Sequence, residues 1–71
     1  MAVEVRAPLG GSILEVMVEP GAKVERVDEL LVIEAMKMEN LIYSPATGTV
    51  KDVLVKKGDK VAGEAVLIVI E

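Results

Sequence analysis

The chain has no cysteine and no histidine among its 71 residues. Without cysteine it forms no disulfide and offers no thiolate to a metal ion. Without histidine it lacks the commonest metal ligand and the commonest general base near neutral pH. A domain this small is usually stapled by a disulfide or a metal, or else held by a compact apolar core. We therefore expect an aliphatic core, and no metal or acid–base chemistry supplied by the chain itself.

Aromatic side chains and an excess of positive charge are also missing. Tyr43 is the only aromatic residue, and 12 acidic against 8 basic residues give a net charge of −4. Nucleic-acid binding relies on lysine and arginine to neutralise phosphates, and often on aromatic stacking. The sequence therefore predicts no nucleic-acid partner.

No apolar run is long enough to cross a bilayer. The longest extends from Ala65 to Ile70, whereas a spanning helix needs roughly 20 residues. Glu4 and Arg6 interrupt the only apolar start, so no secretory signal is expected. The absence of cysteine fits a reducing compartment. We expect no direct membrane insertion and a cytoplasmic location, or an organelle matrix if the source is eukaryotic.

What the chain does have is an internal repeat. A shift of 37 positions aligns the sequence with itself without a gap and superposes turn and strand residues: Pro8 on Pro45, Gly11 on Gly48, Gly21 on Gly58, Lys23 on Lys60, Leu30 on Leu67 and Glu34 on Glu71. We predict a single domain over 1–71, with repeat halves at about 7–34 and 44–71. A hairpin at 35–43 joins the two halves.

The local pattern predicts strands along most of the chain. Hydrophobic residues make up 52% of it and valine dominates, and β-branched residues favour strands. The predicted strands are 3–7, 12–18, 22–24, 30–35, 38–43, 49–55, 60–61 and 65–70. Alternation in 12–18 predicts one face with Ile13, Glu15 and Met17 and the other with Leu14, Val16 and Val18.

Glycine and proline mark the predicted turns. Pro20 suits the first central position of a turn and Gly21 the second, and 56–59 repeats this turn. Five glycines are interpreted as turn residues without chemistry: Gly10, Gly11, Gly21, Gly48 and Gly58.

A helix over 28–39 is the main alternative, because this segment contains good helix formers. Its counterpart in the repeat, 65–71, is too short and too rich in β-branched residues for a helix. Two copies of one unit should fold alike, so strands are predicted in both.

The reversal at Met36-Lys37 is unusual. Two-residue hairpins favour central residues with positive φ, which Asn and Gly adopt cheaply. Every other predicted reversal contains Gly or Pro, and this one has Met and Lys. Positions where local rules fail are often functional. A looser turn with ordinary solvated side chains is the alternative.

The run Glu34-Ala35-Met36-Lys37-Met38-Glu39 resembles the acceptor motif of biotinyl domains, the biotin carboxyl carrier proteins of biotin-dependent carboxylases and decarboxylases. The resemblance covers essentially the whole chain. It implies an all-β fold, a flattened β-barrel (barrel-sandwich hybrid) of two four-stranded antiparallel sheets with internal pseudo-twofold symmetry. The modified lysine lies on a tight hairpin at one end.

The same resemblance implies a non-catalytic carrier. Lys37 would form an amide with the valerate of biotin, made by a biotin protein ligase through biotinyl-AMP. A biotin carboxylase would load a carboxyl group on this swinging arm, and a carboxyltransferase or decarboxylase subunit or domain would remove it. The nucleophile must be a neutral amine, and a lysine amine in water is almost entirely protonated at pH 7. With no histidine in the chain, the ligase must supply the deprotonating environment.

The resemblance also assigns roles to the motif's other residues. Met36 and Met38 tune the carboxylation steps more than recognition by the ligase, with flexible apolar filling as the alternative. Glu39 and Asn40 line the contact with the ligase, with a solvated strand as the alternative. Ala35 belongs to the motif.

Glu34 matches a family position that helps to distinguish biotinyl from lipoyl acceptors. Glu71 is its equivalent in the second repeat, where no lysine follows, so a structural role stays open.

Two other functions compete with the biotinyl interpretation. A lipoyl carrier domain of a 2-oxoacid dehydrogenase-type complex shares the fold, but its tip usually reads Asp-Lys-Ala, whereas this chain has Met36-Lys37-Met38. An unmodified barrel-sandwich interaction module would lack the methionine-flanked lysine.

Overall fold

The computed structural model describes residues 2–71, and this part of the chain contains eight β-strands and no helix. The strands are β1 (Val3–Arg6), β2 (Gly11–Val16), β3 (Lys23–Val24), β4 (Glu29–Ala35), β5 (Met38–Tyr43), β6 (Gly48–Val53), β7 (Lys60–Val61) and β8 (Val66–Ile70). All eight predicted strands are present. Two of them, 38–43 and 60–61, have the predicted bounds, and the ends of the others differ by at most two residues. The alternative helix at 28–39 is excluded, because β4 and β5 occupy that segment.

The strands form two four-stranded antiparallel sheets, in the orders β1-β8-β6-β3 and β5-β4-β2-β7. A shift of 37 residues exchanges the two sheets strand for strand. The hydrogen bonds follow the same exchange, since the Gly21 amide donates to the Val50 carbonyl as the Gly58 amide donates to the Ile13 carbonyl, both at 2.8 Å. The predicted fold class is confirmed: two antiparallel sheets with pseudo-twofold symmetry, consistent with a flattened barrel-sandwich.

Backbone pairing continues from one sheet into the other. Val3 pairs with Ile70 in the first sheet, the Ala7 amide then donates to the Ala65 carbonyl at 2.9 Å, and Gly11 pairs with Val61 in the second sheet. The chain from β1 into β2 therefore runs antiparallel beside the chain from β7 into β8 over nearly its whole length.

This long ladder sets the shape of the molecule. At about 3.3 Å per residue, the nine steps from Val3 to Ser12 cover roughly 30 Å, close to the 32 Å long axis of a body 17 Å wide in the other two directions. Ser12 also pairs with Glu34, which lies close to the turn of the β4–β5 hairpin. The hairpin and the Val3–Ile70 pair therefore lie at opposite ends.

The core between the sheets is aliphatic, as the composition predicts. Its fully buried members come in pairs related by the repeat: Ile13 with Val50, Leu30 with Leu67, Leu31 with Ile68, and Ile33 with Ile70. Burying each such side chain contributes about 1.5–3 kcal/mol. Stability in the described residues thus rests on packing.

A β-bulge changes which residues of β2 point inward. Ile13 pairs with Ile33 and Glu15 with Val32, which leaves Leu14 as an extra residue. Ile13 is buried, and Val16 packs against the same core. The predicted division of faces, with Ile13 and Val16 on opposite sides, is therefore wrong, because strict alternation assumes an unbroken strand.

The prediction for the first glycine turn is confirmed. The Ala22 amide donates to the Glu19 carbonyl at 3.0 Å, and Gly21 has φ +93° at the second central position, as a type II turn requires.

The interpretation of Gly11 and Gly48 as turn residues is wrong, because they open β2 and β6. A Cβ on Gly11 would lie 2.1 Å from the Glu34 carbonyl oxygen, and one on Gly48 would lie 2.4 Å from the Glu71 carbonyl oxygen. Close approach of a neighbouring strand, and not a turn, requires glycine at both positions.

Candidate functional site

The β4–β5 hairpin reverses over two residues. Ala35 pairs with Met38 across the strands, so Met36 and Lys37 are the central residues of the turn. Their φ angles are +55° and +64°, the left-handed pair that two-residue hairpins favour. Left-handed backbone costs a residue with a side chain on the order of 1 kcal/mol. The hairpin thus has the unusual turn that the sequence predicts, held in place against a local cost.

The side chains at the turn face solvent. Met36 is 83% exposed and Met38 is 66% exposed, and Lys37 between them is exposed as well. Within residues 2–71 the two ion pairs join Arg6 to Glu4 and Lys51 to Glu71, so neither involves Lys37. The amine of Lys37 is therefore accessible to a second protein.

The base of the hairpin is firmly supported. β4 lies between β5 and β2 in its sheet, and Ile33 and Ala35 are buried at 1% and 5% exposure. On the β5 side, the Asn40 Nδ2 donates to the Met38 carbonyl at 3.2 Å. On the β2 side, the backbone of Gly11 closes against the Glu34 carbonyl. The strained turn thus stands on a rigid base.

Two carboxylates face each other just below the turn. Glu34 and Glu39 occupy directly opposite positions of β4 and β5, and both are exposed. Like charges in this arrangement destabilise a sheet by roughly 0.2–1 kcal/mol. The surface beneath Lys37 is therefore acidic at some cost in stability.

The surroundings of Glu34 differ from those of its repeat equivalent. The Glu71 carboxylate forms an ion pair with Lys51, with 3.3 Å between Oε2 and Nζ. The position equivalent to Lys51 in the first repeat is Leu14, which offers Glu34 no cation. The ion pair of Glu71 therefore has no counterpart at the hairpin.

The structure brings the whole predicted motif together in one hairpin. Lys37, both methionines and both glutamates are exposed there, and Ala35 is the buried member. Sequence reasoning missed the supporting role of Gly11. The signal was available in its alignment with Gly48, because the same glycine in both repeats at the start of an alternating strand indicates a close backbone approach.

Surface grooves occur elsewhere on the molecule. One lies near Lys23 and Thr49, one near Val16 and Ala22, and one between β1 and β5. Lys37 lines none of these three. In the part of the chain that the structure describes, no group of three or more acidic residues is placed to hold a metal ion. What the hairpin offers is an accessible primary amine that another enzyme can acylate.

No helix long and apolar enough to cross a membrane occurs between residues 2 and 71.

Comparison with known proteins connects this geometry to a family. A family model described as biotin-requiring enzyme matches residues 3–70. The chain is 44% identical over 61 residues to pyruvate carboxylase of Aspergillus terreus. It is 41% identical over 61 residues to the mitochondrial methylcrotonoyl-CoA carboxylase subunit alpha of Arabidopsis thaliana. Each match covers 86% of this chain.

One solved structure is similar to this chain in both fold and sequence. The urea carboxylase of Kluyveromyces lactis superposes with a TM-score of 0.93 at 30% identity, over 100% of this chain and 6% of the urea carboxylase chain. The two curated relatives are likewise much longer, because the matched segment covers 5% of the pyruvate carboxylase and 8% of the methylcrotonoyl-CoA carboxylase subunit. The chain therefore spans less than a tenth of each of these proteins.

Proposed function

The chain belongs to the biotin-requiring enzyme family, and from this premise we propose that it is a biotin carboxyl carrier domain with its biotin attached to Lys37. The observation that carries the proposal is the exposed Lys37 amine on a strained two-residue turn, in a chain whose relatives are carboxylases. The whole of 1–71 is one carrier domain, with repeat halves at 7–34 and 44–71 joined by the hairpin 35–43.

The residues at the turn fit a covalently held biotin. Attachment requires a primary amine that a ligase can reach, and the Lys37 Nζ is the amine that the turn presents. In a biotin protein ligase this nitrogen would attack the carboxyl carbon of biotinyl-AMP, AMP would leave, and the nitrogen would lose a proton as the amide forms. When bound, biotin supplies a ureido nitrogen that accepts a carboxyl group at one active site and releases it at another.

The contribution of the domain is presentation and not catalysis. The left-handed turn keeps Lys37 at the extreme end of the molecule, and the buried side chains of Ile33 and Ala35 hold the turn in one geometry. Because the chain has no histidine, the ligase must accept the proton that Lys37 loses. Tethering then raises the effective concentration of the attached group at each partner's active site.

The flanking residues act at the contact with partners. Met36 and Met38 are exposed on both sides of Lys37, which supports a role at partner surfaces over a filling role in the core. Glu34 lacks the ion pair that Glu71 makes, which supports recognition over a structural role. Glu39, opposite Glu34, extends the same acidic surface towards the ligase.

The partners follow from this function. We propose a biotin protein ligase for attachment, a biotin carboxylase that loads the carboxyl group, and a carboxyltransferase or decarboxylase subunit or domain that removes it. The relatives named above are carboxylases, which supports biotin over lipoate. We propose a cytoplasmic location, or an organelle matrix if the source is eukaryotic.

Intact mass after incubation with a biotin protein ligase, biotin and ATP tests the proposal. The wild type is expected to gain one biotinyl group. Lys37→Arg is expected to gain none, because the guanidinium stays protonated. Lys57→Arg is the matched control, since Lys57 is also an exposed lysine in a tight turn, and it should be labelled like the wild type.

Three outcomes would count against this assignment. Labelling of Lys37→Arg would show that another lysine is the acceptor. A wild type that a lipoate ligase labels and a biotin protein ligase does not would instead identify a lipoyl carrier domain. An unlabelled wild type in both reactions would indicate an unmodified interaction module.

A further inference from the structure

We propose that Met36 and Met38 are sites of reversible oxidation to methionine sulfoxide by peroxides, and that this modification slows carboxyl transfer by the carrier. The site assignment rests on exposure and chemistry alone. The effect on transfer rests on the proposed function.

Among the side chains of this protein, methionine is the type that a peroxide oxidises most readily. The chain has no cysteine, so no thiol competes for an oxidant, and thioethers are the groups that peroxides oxidise next most readily. Of the methionines in residues 2–71, Met36 is 83% exposed and Met38 is 66% exposed, against 41% for Met17. A peroxide in solution is therefore expected to oxidise Met36 and Met38 faster than Met17.

The positions of these two sulfurs beside Lys37 mean that their oxidation affects contact with partner proteins. Met36 and Met38 are the immediate neighbours of Lys37, and the turn is only two residues long. A partner that receives a group carried on Lys37 must therefore accept one methionine on each side of it. A sulfoxide replaces the flexible apolar thioether with a polar, chiral group, and burying an unsatisfied polar group at a contact is unfavourable.

The exposure of both side chains also means that the fold does not depend on them. Neither belongs to the buried core, whose members are aliphatic. Oxidation is therefore expected to change the surface at the tip and to leave the two sheets and the unfolding temperature unaltered.

The chemistry balances with hydrogen peroxide as oxidant. The thioether sulfur attacks one peroxide oxygen, the O–O bond breaks, and the S–O bond forms with release of water. The sulfur is oxidised and the peroxide is reduced. Reversal takes two thiols of a methionine sulfoxide reductase system, which become a disulfide while the oxygen leaves as water.

The first experiment measures the order of oxidation. The full chain is treated with hydrogen peroxide, and peptide mass mapping follows oxygen addition at Met17, Met36 and Met38. In line with their exposed fractions, we expect Met36 to react about twofold faster than Met17 and Met38 about 1.6-fold faster, with an unchanged circular dichroism spectrum. Oxidation of Met17 at an equal or higher rate would overturn the site assignment.

The second experiment measures the consequence. The chain is biotinylated first and its mass is checked. It is then oxidised, mapped by mass to confirm that biotin, which is itself a thioether, has gained no oxygen, and assayed with a biotin carboxylase, ATP and bicarbonate. We expect kcat/KM for the carrier to fall about tenfold and to return after treatment with methionine sulfoxide reductases and a thiol. An unchanged kcat/KM with both hairpin methionines oxidised would refute the effect on transfer.

Variants separate the hairpin sulfurs from other damage. The double variant Met36→Leu/Met38→Leu should show no further loss on peroxide treatment, whatever its own starting rate. Met17→Leu should lose activity like the wild type. A loss in the double variant equal to that in the wild type would assign the damage elsewhere and overturn the proposal. If the mass check shows no biotin on the chain, the proposed function fails, while the order of oxidation still decides the site assignment.

Discussion

Replacing Gly11 by alanine is expected to lower the unfolding temperature of the domain substantially. The new Cβ would lie 2.1 Å from the Glu34 carbonyl oxygen, about 1.4 Å inside an ordinary contact of about 3.5 Å. The atom it meets is backbone in the central strand β4, so no side chain can rotate away. β2 and β4 must separate, which strains the packing and weakens the pairing of Ser12 with Glu34.

The magnitude follows from these two effects. Overpacking costs about 1–3 kcal/mol, and each weakened backbone hydrogen bond costs about 1 kcal/mol. We expect a loss of about 3 kcal/mol, which lowers Tm by roughly 12–24 °C in a domain of this size. A chain of this length is stable by only about 4–11 kcal/mol in total, so the loss is a large share.

Gly63→Ala is the matched control. A Cβ on Gly63 would have its nearest neighbour at 3.6 Å, an ordinary contact, and the backbone there has no positive φ. The control should change Tm by only a few degrees. Gly48→Ala meets the Glu71 carbonyl at 2.4 Å and should also destabilise, but at the end far from the hairpin.

Calorimetry and urea titration of the three variants supply the assay, and the rate of biotin ligation well below Tm supplies a second measurement. Gly11→Ala should slow ligation because it disturbs the base of the hairpin, whereas Gly48→Ala should not. A Tm for Gly11→Ala equal to that of Gly63→Ala would refute the reasoning from close strand approach.

The remaining predictions concern turns and surface residues. Val27→Asn should raise Tm by about 4–8 °C, because an exposed β-branched residue with φ +67° is strained and Asn tolerates that backbone; an unchanged Tm would contradict this account. Glu39→Gln should add roughly 0.2–1 kcal/mol of stability by removing the charge opposite Glu34, and a gain that persists in 1 M salt would rule out charge repulsion as the cause. Met36→Leu/Met38→Leu should leave ligation nearly intact and slow carboxyl transfer, and loss of ligation would assign the methionines to the ligase contact.

The sequence predicts the strands and the hairpin well because the repeat supplies two independent views of each element. The helix alternative at 28–39 illustrates this, since only the counterpart at 65–71 decides against it. The predicted strands 30–35 and 38–43 locate the reversal at Met36 and Lys37, and the lack of Gly or Pro there marks the turn as unusual.

The failures of prediction have one physical source, which is contact between strands distant in sequence. The bulge at Leu14 depends on how β2 pairs with β4, and polarity alternation within β2 contains no information about that pairing. The turn interpretation of Gly11 fails because its close neighbour, the Glu34 carbonyl, lies 23 positions away in the chain.

The hairpin and the Val3–Ile70 pair lie at opposite ends of the domain, so a rotation about the Val3–Ile70 end displaces the hairpin. A longer protein that is joined to this chain beside residue 3 or residue 70 would hold it at one end, with Lys37 roughly 30 Å away at the other. Pivoting about that attachment moves the lysine over an arc whose diameter approaches about 60 Å, without any change inside the domain. The rigid body, and not only the lysine side chain, therefore sets how far apart two active sites can stand and still be served by one carrier.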